Sequence, residues 1–142
     1  MTTTKKTGLN LVRAFGFDKK KLEEGYDVDL GEGAVVRVRS ARHPLSREAY
    51  LKAQKKYSTE LASNDESVRE AAYANMFADT LAEAAIISWT GIVDEEGNEL
   101  PFSPEVARPL LLDLEDFRNL IFNNANDRAR IAYDKVDTVA KN

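Results

Sequence analysis

Residues 66–90 constrain the fold most, because they contain neither glycine nor proline and follow a helix-capping sequence, Ser63 to Glu66. Apolar side chains recur there at every fourth position, which keeps them on one face of a helix. This row comprises Tyr73, Phe77, Leu81, Ala85 and Trp89. Interspersed alanines would let neighbouring elements pack closely against it. The pattern predicts one long central helix that ends at Gly91.

A β-hairpin is predicted nearer the N-terminus, where the sequence alternates between apolar and polar residues. Residues 26–30 and 35–39 alternate in this way, and Gly31-Glu32-Gly33 supplies a turn between them. Two strands alone are marginally stable, so the hairpin must lay its apolar face on other elements. That face comprises Tyr26, Val28, Leu30, Val36 and Val38.

Three further helices are predicted from capping residues and apolar spacing. The first runs from about 47 to 61, with Ser46 as its N-cap. The second begins at Ser103, and Pro109 is expected to keep it short. The third runs from about 116 to 136 and places its apolar residues on one stripe.

The predicted fold class is mainly α (α+β). A chain of 142 residues suffices for one core. Residues 1–25 are predicted to be a flexible N-terminal segment that carries a short amphipathic helix between Leu9 and Phe17, followed by a turn capped by Asp18. Residues 26–142 are predicted to form a single domain of hairpin and helices. It includes a second small hairpin or loop near residues 91–102.

Composition excludes several classes of function. The chain has no cysteine, which excludes disulfides and thiol catalysis and fits a reducing cytosol. Its net charge is −4 with both signs interspersed, so neither nucleic acid nor an anionic membrane is an expected partner. No apolar run is long enough for a membrane span or resembles a signal peptide.

The sequence contains no recognisable catalytic pattern. His43 lies in a loop without a nucleophile that it could activate. A metal site could be suggested by Asp94, Glu95, Glu96, Glu99 and Asn98, but their spacing is not that of a calcium-binding loop and is typical of an ordinary acidic turn. We therefore predict no catalytic residue, no cofactor and no metal. The enzymatic alternative is a small acid/base or metal enzyme that uses Asp94, Glu96, Asn98 and His43.

The segment from Asn123 to Arg130 is unusually polar for a helix. The first interpretation is internal: Asn126 or Asp127 forms hydrogen bonds with the 91–102 loop, or Arg128 pairs with an acidic residue there. The second interpretation is that this segment forms a surface for an external partner.

The region from Ile86 to Arg130 resembles the tail assembly chaperones of long-tailed bacteriophages. The residues that carry the resemblance are I-S-W-T-G-I, then V-D-E-E-G-N-E-L-P-F-S-P-E, then L-L-L-D and F-x-x-L-I-F-x-x-A-N-D-R. The 26–38 hairpin gives looser support. Residues 1–25 and 131–142 match no part of the family's pattern, and Pro109 departs from it.

The resemblance implies a non-enzymatic chaperone in the host cell cytoplasm. Such a protein binds the tape measure protein, keeps it soluble and promotes assembly of the tail tube protein. It also implies self-association, for which the 9–17 segment could serve as an exchanging arm. A longer product of ribosomal frameshifting is a further implication, since residues 140–142 can be encoded by a slippery heptamer.

An apolar helix of the tape measure protein would need a groove to cover it. The residues predicted to bind a partner are Phe77, Leu81, Trp89, Phe102, Leu110, Phe117, Ile121, Asn124, Asp127 and Arg128. The alternative is a structural tail or connector subunit, which would remain in the finished particle.

Overall fold

The computed structural model describes residues 7–134 and shows a mainly α fold with a small antiparallel sheet. The helices are α1 (Leu11–Phe15), α2 (Lys19–Glu24), α3 (Pro44–Lys56), α4 (Ser58–Leu61), α5 (Glu66–Thr80), α6 (Pro104–Asp113) and α7 (Glu115–Ala125). The strands are β1 (Tyr26–Gly31), β2 (Ala34–Val38) and β3 (Ile86–Thr90). A π-helical turn (Leu81–Ala85) follows α5, and a 3-10 turn (Arg128–Arg130) follows α7.

The predicted hairpin is confirmed as β1 and β2. The two strands pair antiparallel, with Val28 opposite Val36. Both of these side chains are buried, as is that of Val38. Gly31, Glu32 and Gly33 all have positive φ, which the turn requires and glycine adopts at little cost. The sheet order is β1-β2-β3, so β2 is central.

The prediction of one central helix from 66 to 90 is wrong. The helix α5 ends at Thr80, the π-helical turn follows, and residues 86–90 form β3. The strand pairs with β2, which places Trp89 opposite Val36. Branched and aromatic residues such as those of β3 suit a strand, and pairing with the free edge of β2 outweighs the helical spacing.

Arg39 stabilises the point where the helix gives way to the strand. Its backbone N–H donates to the carbonyl of Ala85 at 2.7 Å. One guanidinium nitrogen donates to the carbonyl of Ala84 at 2.5 Å. Carbonyls at a helix C-terminus need such donors. Burial of the side chain lowers the pKa of Arg39.

The last helix is shorter than predicted, since α7 ends at Ala125 instead of about 136. The side-chain amide of Asn126 donates to the carbonyl of Phe122 at 2.9 Å, and Asp127 accepts from the backbone N–H of Ala129 at 3.0 Å. Short polar side chains that bond to the backbone in this way favour turns over continued helix. The predicted residues 135 and 136 lie outside the described part of the chain.

The helix predicted for residues 47–61 begins earlier and divides at Tyr57 into α3 and α4. His43, and not Ser46, is the N-cap of α3: its Nδ1 accepts from the backbone N–H of Leu45 at 3.0 Å. The buried hydroxyl of Ser46 instead donates to the carbonyl of Ser40 at 2.9 Å.

Ser103 begins α6 as predicted, because its Oγ accepts from the backbone N–H of Val106 at 3.2 Å. Pro109 does not stop this helix, which continues to Asp113. A proline lacks the N–H that would bond to the carbonyl four residues before it. That residue, Glu105, is exposed in the first turn, so water can replace the missing donor.

The small hairpin predicted near residues 91–102 is confirmed. The backbone N–H of Asp94 donates to the carbonyl of Asn98 at 2.8 Å, and Val93 bridges Glu99. Gly97 has the positive φ expected for this turn. The turn is ordinary in its bonding, since Asp94 accepts from the backbone N–H groups of two residues within it.

The hydrophobic core lies between the sheet and the helices α5, α6 and α7 together with the π-helical turn. Its members are Val28, Val36, Val38, Ala78, Leu81, Ala82, Ala85, Ile86, Trp89, Ala107, Leu111, Ile121 and Ala125. Within residues 7–134, no helix has the length and apolar character needed to cross a membrane.

Candidate functional site: an apolar groove

An apolar groove of about 460 Å³ opens between α3 and α7, above the C-terminal end of α5. Tyr50 and Leu51 of α3 form one wall, and Phe77 and Phe122 belong to the opposite side. The residues that line the groove are Ala41, Ser46, Arg47, Tyr50, Leu51, Phe77, Thr80, Leu81, Ala85, Phe122, Ala125 and Asn126.

A row of aromatic rings extends the groove along α5. The rings of Phe77 and Phe122 meet edge to face, with centroids 5.0 Å apart. Tyr73 stacks on Phe77 at 6.5 Å and leaves 49% of its surface exposed. Single exposed apolar residues are normal on a protein surface, whereas a contiguous apolar patch indicates a binding surface.

The floor of the groove is built mainly from small side chains. Ala85 belongs to the π-helical turn and Ala125 ends α7, and both are buried. Ala41 lies in the loop before α3. Small residues at a contact allow the backbone of a second helix to approach closely. The groove can therefore accept large apolar side chains between its walls.

The predicted partner-binding residues do not form one site. Phe77 and Leu81 line the groove. Trp89 lies elsewhere: it is 7% exposed and its indole N–H donates to the carbonyl of Leu100 at 2.7 Å. Phe102 packs edge to face on Trp89, with ring centroids 5.1 Å apart. These two rings hold the 91–102 turn against β3.

The other predicted apolar residues belong to the core. Ile121 is fully buried, and Leu110 and Phe117 are partly buried against the same cluster. Sequence reasoning missed Tyr50, Leu51 and Phe122 as candidates. The signal for Phe122 was its position directly after the core residue Ile121, which on a helix turns its side chain away from the core stripe by about 100°.

Arg128 contacts the N-terminal segment, and within the described residues none of Asn126, Asp127 and Arg128 bonds to the 91–102 loop, so the internal interpretation named the wrong partner. The guanidinium of Arg128 donates to the carbonyl of Ala14 at 3.1 Å. It also lies 5.5 Å from the ring centroid of Phe17, and Arg42 lies 4.8 Å from the same ring. Cation–π contacts thus hold Phe17 between two arginines. Asp127 caps the 3-10 turn.

Asn124 ties the end of α7 to the sheet and to Arg130. The hydroxyl of Tyr26 donates to its backbone carbonyl at 2.6 Å. Its side-chain oxygen accepts from Arg130 at 3.0 Å. Burial raises the pKa of Tyr26 to about 12, while the charge of Arg130 acts in the opposite direction.

Replacing Tyr26 with phenylalanine should lower the free energy of unfolding by about 1 kcal/mol at pH 7, the usual value of one hydrogen bond. The neutral phenol is favoured in the folded state, so its contribution is complete below pH 10 and is lost as the pH rises towards 12. Urea denaturation at pH 7 and pH 11 measures both effects. Tyr73→Phe, at an exposed ring, is the control; an equal loss in both variants would contradict the prediction.

A second cleft, between α3 and α6, is lined mainly by charged side chains, several of which pair with one another. Asp79 accepts from the hydroxyl of Tyr57 at 2.7 Å and from the guanidinium of Arg108. Lys56 lies 3.3 Å from the same carboxylate, and Arg108 also donates to Asn75 at 2.9 Å. Burial opposes ionisation of Asp79, but these hydrogen bonds outweigh it and lower its pKa. This cluster joins three helices.

Two residues of the enzymatic alternative, His43 and Asp94, have structural roles. His43 caps α3, and burial together with the charge of Arg39 lowers its pKa. Asp94 bonds within its own turn. Among residues 7–134, no three side chains of histidine, cysteine, aspartate or glutamate are grouped as a metal ion would require.

In a comparison with known families, the model of the YdaY prophage proteins matches residues 44–142. The chain belongs to this family. It is therefore a protein of phage origin. The matched range begins at the first residue of α3 and contains every groove residue except Ala41. Neither the curated proteins nor the solved structures gave a match.

The hairpin of β1 and β2 precedes the range that matches the family. It is nevertheless part of the same core, since β2 pairs with β3 and buries Val36 and Val38 completely. The region that matches the YdaY family thus shares its sheet and its hydrophobic core with residues that precede it in the sequence.

Proposed function

We propose that this YdaY-family protein is a tail assembly chaperone of a long-tailed phage. In this proposal it binds the tape measure protein in the host cell cytoplasm, keeps it soluble, promotes assembly of tail tube subunits and catalyses no reaction. The observation that carries the proposal is the open apolar groove between α3 and α7. The resemblance of residues 86–130 to tail assembly chaperones and the phage origin of the family support it.

The groove suits the apolar face of a helix. Tyr73, Phe77 and Leu81 are spaced four residues apart along α5 and the turn that follows, which corresponds to about 12 Å or two helical turns. A helix that lies in a groove commonly inserts residues at positions i, i+3 or i+4, and i+7. A long, helix-rich partner exposes such residues until it is packed, and covering them prevents aggregation.

The residues that carry the resemblance have a structural role that supports this arrangement. Trp89 and Phe102 hold the 91–102 turn, and Ser103 caps α6. Together they fix how α6 and α7 return to the end of α5. Part of the motif therefore builds the scaffold of the groove, while three of its members, Phe122, Ala125 and Asn126, line the groove itself.

Co-expression with the tape measure protein of the same prophage tests the proposal. The wild-type chain should make that partner soluble and co-purify with it. Leu51→Glu should weaken this binding at least tenfold, because it places a charge on an apolar wall and removes a large contact. The yield of soluble complex and the dissociation constant are the measurements.

Val93→Glu is the matched control, because Val93 is 56% exposed and Leu51 is 58% exposed, but only Leu51 lines the groove. Both variants should keep the thermal midpoint of unfolding within a few degrees of the wild-type value.

A tape measure protein that stays insoluble with the wild-type chain would overturn the proposal. Detection of the chain in purified particles would identify a structural tail or connector subunit. Mass spectrometry of infected-cell lysates would test whether the longer frameshifted product that the resemblance implies is made.

A further inference from the structure

The groove is positively charged at the end where α3 begins. Arg47 lies near the N-terminus of α3 and is the charged residue among the described residues that line the groove. Of the ion pairs within residues 7–134, none involves Arg47. The first turn of α3 contains no acidic side chain, so the partial positive charge of the helix N-terminus adds to that of Arg47.

We propose that the groove binds an amphipathic helix from another protein, with a carboxylate next to its apolar stripe that faces Arg47. The inference rests on the proposed function and specifies the chemistry of the helix that is bound. Complementary charges across an interface set the register and the choice of partner more than they add affinity. Arg47 would thus fix the direction and register of a helix held mainly by apolar contacts.

The chain's own segments match this groove poorly. The helix α1 exposes Leu11, Val12 and Phe15, so a second copy could in principle insert them. The charged residue within α1 is Arg13, which would then lie in the same groove as Arg47. Outside the described residues, the sequence contains four lysines and a single acidic residue, Asp137. Like charges disfavour these segments, and the observations favour a foreign, acidic helix.

Two synthetic peptides test the charge preference. Both are helical and carry leucine at positions i, i+4 and i+7, and they differ only in one residue beside this stripe, which is glutamate or lysine. Titration into ¹⁵N-labelled protein, followed by NMR, gives the affinity and the residues affected. The glutamate peptide should bind about fivefold more tightly, as expected for an exposed ion pair. Its shifts should centre on Leu51, Phe77 and Phe122.

Arg47→Glu should reverse the preference, whereas Lys20→Glu should leave it unchanged, because Lys20 is exposed on α2 and does not line the groove. Equal affinity of the two peptides for the wild-type protein would overturn the inference. Self-association that is abolished by Phe122→Ser would also overturn it, since the groove would then hold a second copy.

The two proposals can fail separately. If the tape measure protein co-purifies but the two peptides bind equally, the chaperone function is supported and the recognition of a carboxylate by Arg47 is contradicted. If the glutamate peptide binds more tightly but the tape measure protein is not bound, the proposal that the groove binds an acidic helix is supported and the chaperone function is contradicted.

Discussion

Replacing Trp89 with alanine should destabilise the protein by about 3–5 kcal/mol, the usual range for removing a large buried aromatic side chain. Trp89 is 7% exposed and packs against Phe102 at 5.1 Å between ring centroids. The change leaves a cavity between β3 and the 91–102 turn. It also removes the donor that bonds to the carbonyl of Leu100 at 2.7 Å. Urea denaturation at 25 °C measures the loss.

Tyr73→Ala is the control, since it removes an aromatic ring that is half exposed at the end of the groove. Its expected cost is below about 1 kcal/mol. If Trp89→Ala does not fold, Trp89→Phe keeps an aromatic ring at the site but loses the hydrogen bond and part of the packing, and it should cost about 1–3 kcal/mol. A loss below 1 kcal/mol in Trp89→Ala would show that this ring does not support the fold.

This stability effect determines which variants can report on function. A substitution at Trp89 would abolish partner binding by unfolding the scaffold, whether or not the groove binds a helix. Leu51 is the better choice, because it is largely exposed and lines the groove. Trp89 and Phe102, which help make the sequence resemble tail assembly chaperones, are therefore poor probes of what the protein binds.

Local signals predicted the elements that depend on local chemistry. The hairpin follows from alternation and from glycines at Gly31 and Gly33, both of which adopt positive φ. The starts of α2, α5 and α6 follow from Asp18, Asp65 and Ser103, each of which accepts a backbone hydrogen bond. In each case, residues close in sequence decide the structure.

The error in the central helix arose from a contact that is distant in sequence. Residues 81–90 keep a helical spacing, but β2 offers an unpaired edge to which residues 86–90 bond. Nothing within this stretch shows that the edge of β2 is available. The π-helical turn absorbs the change from helix to strand, and Arg39, which is also distant in sequence, satisfies its last carbonyls.

The candidate site was predicted only in part for the same reason. Phe77 and Leu81 were identified from their positions on the predicted central helix. Whether Leu51 faces the core or a groove depends on how far α3 stands from α7, which periodicity cannot determine. Phe122 was overlooked because it adjoins a polar segment, although its ring lies 5.0 Å from that of Phe77.

The polar cluster around Asp79 should contribute the second large effect on stability. Asp79→Asn should lower the free energy of unfolding by about 2 kcal/mol at pH 7, because it removes a largely buried carboxylate from the guanidinium of Arg108 and the hydroxyl of Tyr57. The carboxylate is 12% exposed, whereas Arg108 is 37% exposed, so water limits the penalty for leaving Arg108 unpaired. Glu83→Gln breaks an exposed pair with Lys52 and should cost less than about 0.5 kcal/mol.

The pH dependence of the free energy of unfolding distinguishes the contribution of the Asp79 charge from that of its packing. Its pKa is lower in the folded protein than the value of about 3.9 in the unfolded chain, so its contribution is complete above that value and is lost as the pH falls below it. The difference in stability between the wild-type protein and Asp79→Asn should therefore be constant from pH 7 to pH 5 and should shrink below pH 4. Urea denaturation at pH 7, 5, 4 and 3 measures this difference. A difference in stability that stays the same down to pH 3 would mean that Asp79 acts through packing and hydrogen bonds that do not need its charge.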